Sequence, residues 1–306
     1  MATDLLSELR GQRVPALARA ISQVENERPG FEELLAAIHP ALGRARRIGI
    51  TGPPGAGKST LTEQLVRGFR ARGLTVGVVA VDPTSPFTGG ALLGDRIRME
   101  SVALDTGVFI RSMATRGSLG GLATTTREVC DLLDAAGFDR ILIETVGVGQ
   151  SELAVSRTAD STVVVLVPES GDGIQTLKAG IMEIADVYVV NKADRPGATN
   201  LAREIESTIA IRQGKAYRGM RGHHGASGID RAAGTPAPSP GQWTPPVLLT
   251  TAVAGSGLAD LVAALDQHHA WSVSNGTLEE RRRRRFAART REVVDRALHR
   301  YVWNET

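Results

Sequence analysis

Cysteine is nearly absent. A single Cys130 stands in 306 residues, which excludes a disulfide framework and a cysteine-rich zinc site and suits a reducing compartment. Aromatic residues supply only 4%, so the core must be assembled from Val, Leu, Ile and Ala. No apolar run approaches the roughly 18 residues needed to span a bilayer. The opening MATDLLSELR carries an acidic residue where a secretory signal wants basic ones, and no long apolar stretch follows. The expectation is a cytoplasmic protein without a membrane partner. A strong excess of one charge is also missing, since 36 Lys and Arg face 33 Asp and Glu. Residues 281–306 nevertheless hold nine Arg and only three acidic residues, so the rest of the chain is net negative. A uniformly basic nucleic-acid binder is thereby excluded.

What is present begins with helical spacing. Leu5, Leu6 and Leu9, then Leu17, Ile21 and Val24, then Phe31, Leu34, Leu35 and Ile38 predict two or three short helices. From Arg47 the pattern changes to short apolar runs alternating with helices. These runs are Ile48–Thr51, Val76–Asp82, Val108–Arg111, Ile141–Glu144, Thr162–Val167, Val187–Asn191 and Val247–Thr251. Several are apolar on both faces, as strands of a parallel sheet covered on both sides must be. The predicted fold class is α/β, a doubly wound, mostly parallel sheet. Three parts are expected: an N-terminal helical extension (1–44), a phosphate-binding domain (45–270) and a C-terminal helical arm (271–306). A polar, Gly-, Pro- and Ser-rich stretch from about 213 to 246 reads as a surface loop, and its His223-His224 pair as solvated. A helix from Leu258 to about His269 closes the core. In the arm, Phe286, Val293, Val294, Ala297, Leu298 and Tyr301 form one stripe. The run Arg281–Arg285 reads as a solvated or partner-facing surface; no aromatics interleave with it for nucleic-acid stacking.

The sharpest motif is Gly52-Pro53-Pro54-Gly55-Ala56-Gly57-Lys58-Ser59, between a predicted strand and a helix with Leu61, Leu65 and Phe69 on its buried face. Phosphates need inward-pointing backbone N–H groups, which glycine permits, and the following helix offers its positive end. Gly55 to Thr60 therefore form the expected phosphate cradle, with Lys58 on the outer phosphates and the Ser59 hydroxyl on magnesium. A second motif, Asn191-Lys192-Ala193-Asp194, closes an apolar strand. Guanine presents two adjacent donors that match a carboxylate, so Asp194 selects guanine over adenine. Lys192 lies along the purine, and Asn191 ties the loop. Thr251-Ala252-Val253 offers a backbone contact to the guanine oxygen. A third run, Ile141-Leu142-Ile143-Glu144-Thr145-Val146-Gly147, puts a carboxylate beside the metal and the Gly147 N–H at the γ-phosphate. Asp82 and Asp95 are further carboxylates for the magnesium shell, each with helix capping as its alternative.

These residues together resemble the methylmalonyl-CoA mutase-associated GTPases, the MeaB/ArgK-type chaperones of the SIMIBI class. The resemblance rests on V-D-P-T-S-P-F-T-G-G-A-L-L-G-D-R-I-R-M (Val81–Met99), R-S-M-A-T-R-G-S-L-G-G-L-A (Arg111–Ala123), E-T-V-G-V-G-Q-S-E (Glu144–Glu152) and G-D-G-I-Q-T-L-K-A-G-I-M-E-I-A-D (Gly171–Asp186). It implies a GTP/GDP and magnesium protein that gates adenosylcobalamin loading of an acyl-CoA mutase and protects it, methylmalonyl-CoA mutase being the default client. It also implies a homodimer built through the arm, with the cobalamin adenosyltransferase as a further partner. By resemblance, Lys58, Glu144 and Asp82 are catalytic, Ser59, Asp95, Asp82 and Glu144 serve the metal, and Gln175 and Lys178 form an extra switch. Gln150 stands three residues past Gly147, which implies slow intrinsic hydrolysis completed by a partner. Three other readings stay open: a nickel-insertion GTPase, a transport-system kinase using ATP, and a nucleotide-binding module with little turnover.

Overall fold

The computed structural model describes residues 8–9, 14–82, 99–114, 119–145, 151–168, 182–213 and 241–303. Seven strands form one parallel sheet: β1 (Arg46–Thr51), β2 (Val76–Asp82), β3 (Val108–Ala114), β4 (Arg140–Thr145), β5 (Ser161–Leu166), β6 (Val187–Val190) and β7 (Val247–Leu249). Their order is β3-β2-β4-β1-β5-β6-β7, which puts β1 at the centre between β4 and β5. All seven predicted runs are strands. The last is shorter than expected, because the chain turns at Thr250 to let Ala193 N–H reach the Thr250 carbonyl at 3.0 Å.

Helices cover both faces, as strands apolar on both sides require. Ahead of the sheet lie α1 (Val14–Glu25) and α2 (Phe31–Ile38). The connections carry α3 (Lys58–Ala71), α4 (Glu100–Ala103), α5 (Leu119–Ala135), α6 (Ser151–Thr158), α7 (Met182–Ile184) and α8 (Ala198–Arg212), and the chain goes on through α9 (Leu258–Ser274) and α10 (Thr277–Trp303). Alternation along β4 sorts the faces. Ile141 and Ile143 join Val79, Leu17, Ile21, Phe31 and Leu133 on one side, while Leu142 joins Ile50, Leu61, Leu65, Phe69 and Leu261 on the other. Leu9 is fully buried in the first of these clusters; Leu5 and Leu6 lie outside the described residues. The predicted helix from Leu258 runs to Ser274, where Asn275-Gly276 breaks it from α10. The segment 214–240, with His223 and His224, lies outside the described residues; beyond it Trp243 donates from Nε1 to the Asp186 carbonyl at 2.7 Å. Among the described residues no helix is long and apolar enough to cross a membrane.

The arginine run requires a correction. Arg281, Arg282 and Arg285 do not form a solvated face; they dock α10 onto the N-terminal ends of the central strands. Arg281 reaches Asp186 with two bonds of 2.8 and 2.9 Å. Arg282 and Arg285 grip the two oxygens of buried Asp160 at 3.0 and 2.7 Å. The same helix face continues with Arg289 on Asp131 at 2.6 Å and Arg296 on Glu128 at 2.9 Å. Only Arg283 and Arg284 of the run are exposed. The apolar stripe lies away from these contacts, with Phe286, Val293, Val294 and Leu298 all exposed.

Burial alone would raise the Asp160 carboxyl, but Arg285 and Arg282 overcome it and hold the group well below the ordinary carboxylate range. Burial opposes ionisation of Asp186 likewise, and hydrogen bonds from His268 and Arg281 again win. Both folded values lie below the unfolded one. Their stabilisation is therefore fully present above about pH 4 and is lost as pH falls through the folded values. Asp160→Asn leaves two cations facing an amide and should cost about 3–5 kcal/mol. Urea unfolding between pH 3 and 7 checks both points: the variant should lose stability at neutral pH and show a shallower acid dependence than the parent.

Candidate functional site

The phosphate loop fills the turn between β1 and α3, and its backbone is set by neighbours rather than by preference. Gly52 has φ 139° and lies so close to β5 that a Cβ would stand 2.0 Å from the Val165 carbonyl oxygen. Gly57 has φ 84°, and a Cβ there would stand 2.4 Å from Asn191 Nδ2. Gly57 also precedes α3 without a side-chain cap. The first-turn N–H groups of that 14-residue helix thus face the loop as anion donors. Gly55 and Ala56 complete the curve, and Ala56 N–H donates to the Pro53 carbonyl at 3.3 Å.

Lys58 is buried and folds back over this loop. Its Nζ donates to the Gly52 and Pro53 carbonyl oxygens, both at 2.9 Å. A bound phosphate would compete for the same three ammonium hydrogens. One residue on, the Ser59 hydroxyl donates to Glu144 Oε1 at 2.6 Å, joining the first turn of α3 to the end of β4. Both groups are buried, Glu144 at 2% exposure. A hydroxyl and a carboxylate held together beneath a phosphate loop are hard oxygen donors of the kind magnesium takes. Thr60 is half-buried on the same turn.

Asn191 ties three loops together. Its Nδ2 donates to the Ala56 carbonyl at 2.8 Å, and its Oδ1 accepts from Thr250 Oγ1 at 3.2 Å and from Ala252 N–H at 3.1 Å. The next residue, Lys192, takes φ 56°, a left-handed backbone that non-glycine residues seldom adopt. That strain turns the chain so that Asn191 is buried while Asp194 is exposed. Thr251, Ala252 and Val253 follow β7, which pairs with β6, and Val253 is 85% exposed. Of the Thr251–Val253 backbone expected to contact the guanine oxygen, the Ala252 amide donates to Asn191.

The structure thus brings together Lys58, Ser59 and Glu144 as one group, and Gly57, Asn191 and Ala252 as another. The Asp82 side chain and the residues Asp95, Gly147, Gln175 and Lys178 lie outside the described residues. Sequence reading missed Thr250, whose hydroxyl, not that of Thr251, reaches Asn191. Its signal was weak, one threonine beside another at the end of a strand. Also missed was the buried hydroxyl pair Thr145 and Thr51, where Thr145 donates across the ends of β4 and β1 at 3.1 Å.

Replacing Asn191 with Ala would strip the partners from Ala56, Thr250 and Ala252 together. About 1–3 kcal/mol of stability should be lost, and guanosine diphosphate affinity should fall at least tenfold. Thermal unfolding and calorimetric titration of the variant measure the two effects.

Comparison with known proteins follows the same lines. The family model "Methylmalonyl Co-A mutase-associated GTPase MeaB" matches residues 17–306. A Pyrococcus abyssi protein carrying a GTPase name is 45% identical over 294 residues, spanning 96% of this chain and 84% of its own length. The Escherichia coli GTPase ArgK is 43% identical over 203 residues, covering 65% of this chain and 61% of itself. A crystal structure titled as a LAO/AO transport system kinase superposes with a TM-score of 0.72 at 27% identity, over 99% of this chain and 86% of that one. A glycine-rich loop on a central parallel strand, an Asn191 that ties it to the loops after β6 and β7, and a family match across nearly the whole chain lead to one conclusion: this chain belongs to the MeaB family of methylmalonyl-CoA mutase-associated GTPases.

Proposed function

We propose that this GTPase serves as a nucleotide-gated chaperone of an adenosylcobalamin-dependent acyl-CoA mutase, with methylmalonyl-CoA mutase the first client to test. The observation that carries this reading is the match over residues 17–306 to a family named for its association with that mutase. In the reaction, water attacks the γ-phosphorus of GTP and the bond to the β-phosphate oxygen breaks, giving GDP and phosphate. The protein's work is positioning and charge neutralisation. The cradle from Gly55 to Thr60 holds the phosphates through backbone N–H groups, and Lys58 leaves its two carbonyl partners for the β- and γ-oxygens. Asp194 pairs with the two guanine donors, Lys192 lies along the purine, and the Thr251–Val253 turn meets the guanine oxygen.

The Ser59–Glu144 pair fits magnesium, which when bound would neutralise phosphate charge. Ser59, Glu144, Asp82 and Asp95 are the residues that would hold it or its water shell. Gly147 senses the γ-phosphate, and Gln175 and Lys178 transmit its loss to the partner. Intrinsic turnover is slow, because Gln150 stands three residues beyond Gly147, and the partner completes the site. The exposed stripe of Phe286, Val293, Val294 and Leu298 supports a homodimer formed through α10. The cobalamin adenosyltransferase is a second candidate partner.

Three expectations test this. Lys58→Ala should abolish turnover; undiminished hydrolysis would remove the site assignment. Asp194→Asn should shift preference from guanine toward xanthine nucleotide, and an unchanged preference would count against Asp194 as the base reader. Turnover measured with and without the mutase from the same source should rise at least tenfold, about 1.4 kcal/mol off the barrier. A rate indifferent to the mutase would keep the nucleotide site and send the search to another client.

A further inference from the structure

At the opposite end of the strands from the phosphate loop, α10 roofs a cavity of about 280 Å³. Five arginines line it: Arg47 and Arg127 from the body, and Arg282, Arg285 and Arg289 from α10. Among the described residues two carboxylates face it, so the lining carries three positive charges in excess. Both carboxylates are committed. Asp134 accepts the backbone N–H groups of Gly43, Arg44 and Ala45 at 2.8, 3.1 and 2.9 Å. Asp131 holds Arg47 at 2.7 Å and Arg289 at 2.6 Å. Behind the wall, Asp160 answers Arg282 and Arg285, and Glu292 answers Arg127. Among the described residues one positive charge still stands over.

Arg127 shows where that charge is least satisfied. It is 5% exposed, its Nη1 donates to Glu292 Oε2 at 2.6 Å, and its Nε has no hydrogen-bond partner among the described residues. A buried cationic donor without an acceptor is costly, and a ligand oxygen in the cavity would answer it. Converging guanidinium forks suit phosphoryl oxygens, which accept paired N–H bonds and carry enough charge to offset the excess. At the mouth, the half-exposed Phe286 ring stacks on His39 with centroids 5.1 Å apart. No residue of the phosphate loop or the base loop contributes to this lining.

We propose that this cavity binds the phosphoryl group of a small molecule, with Arg127 and Arg289 as the principal donors. Because three of its five arginines ride on α10, an occupant fastens that helix to the body of the molecule. The test uses the whole chain, presaturated with GDP and magnesium so that the phosphate loop is filled. Inorganic phosphate and adenosine 5′-monophosphate are titrated by calorimetry. Saturable binding is expected, weakened tenfold or more in Arg127→Gln and in Arg289→Gln. It should be unchanged in Arg283→Gln, whose side chain is exposed on the same helix. Should Arg127→Gln fail to fold, Arg289→Gln, whose side chain is less buried, decides alone. Adenosine monophosphate binding no tighter than phosphate supports a free-phosphate site. A tighter adenosine monophosphate whose advantage disappears in Phe286→Ala supports an organic phosphate. No saturable binding of either probe, or equal weakening by Arg283→Gln, overturns the proposal.

Discussion

Asp160 is the point on which the molecule's central contacts depend. It stands at the start of β5, beside β1, and its carboxylate accepts Arg47 N–H at 3.1 Å while its own N–H donates to the Arg47 carbonyl at 2.7 Å. The two central strands are therefore registered through this residue before their ladder begins. The same carboxylate, buried to 2% exposure, receives Arg282 and Arg285 from the C-terminal helix. An ionised carboxylate so deep in the protein is tolerable only with cations against it. Strand pairing and helix docking are thus satisfied by one pair of oxygens.

Parallel strands all run the same way, and the sheet consequently has two chemically different ends. At the C-terminal end lie Lys58 and the open N–H groups of α3, which seek anions. At the N-terminal end lie Asp160 and Asp186, which seek cations and find them on α10. The two ends are mechanically joined. Gly52 is forced into its conformation because β5 passes so close that no β-carbon fits, so the loop that cradles phosphate inherits its shape from the β1–β5 register. The arginines secure that register from the other end. Asn191 then locks the loop after β6 to the loop between β1 and α3 through the Ala56 carbonyl, so the two loops form one continuous rim.

Most of the sheet was legible because its strands are runs such as Val163-Val164-Val165-Leu166, apolar on both faces. That Lys58, Ser59 and Glu144 would gather at one end of the sheet was legible because the motif sets particular residue types at fixed offsets from a strand end. The arginine run was not. A charge run announces its sign but not its neighbour, and Asp160 and Asp186 lie far from Arg285 and Arg281 in sequence, with nothing in local periodicity to pair them. Helical spacing does put Arg281, Arg285, Arg289 and Arg296 on one face, yet the exposed apolar residues of the same helix make the opposite face the natural choice for burial. Thr250 was hidden for a different reason. It is one of two adjacent threonines, and the register of a three-residue strand decides which hydroxyl turns inward.

The long separation of these charge partners also bears on synthesis. The carboxylates at the base of the strands are made well before the arginines that neutralise them. At translation rates of ~5–20 residues per second, the interval is several seconds or more. During it, the strands can pair and the apolar faces can collapse, but Asp160 must stay hydrated or protonated, while Asp186 has His268 to meet it. Around Asp160 the sheet's lower edge is therefore held open, by the cost of burying unmatched charge, until α10 arrives. α10 adds few apolar contacts and many cations, so its docking is chiefly electrostatic.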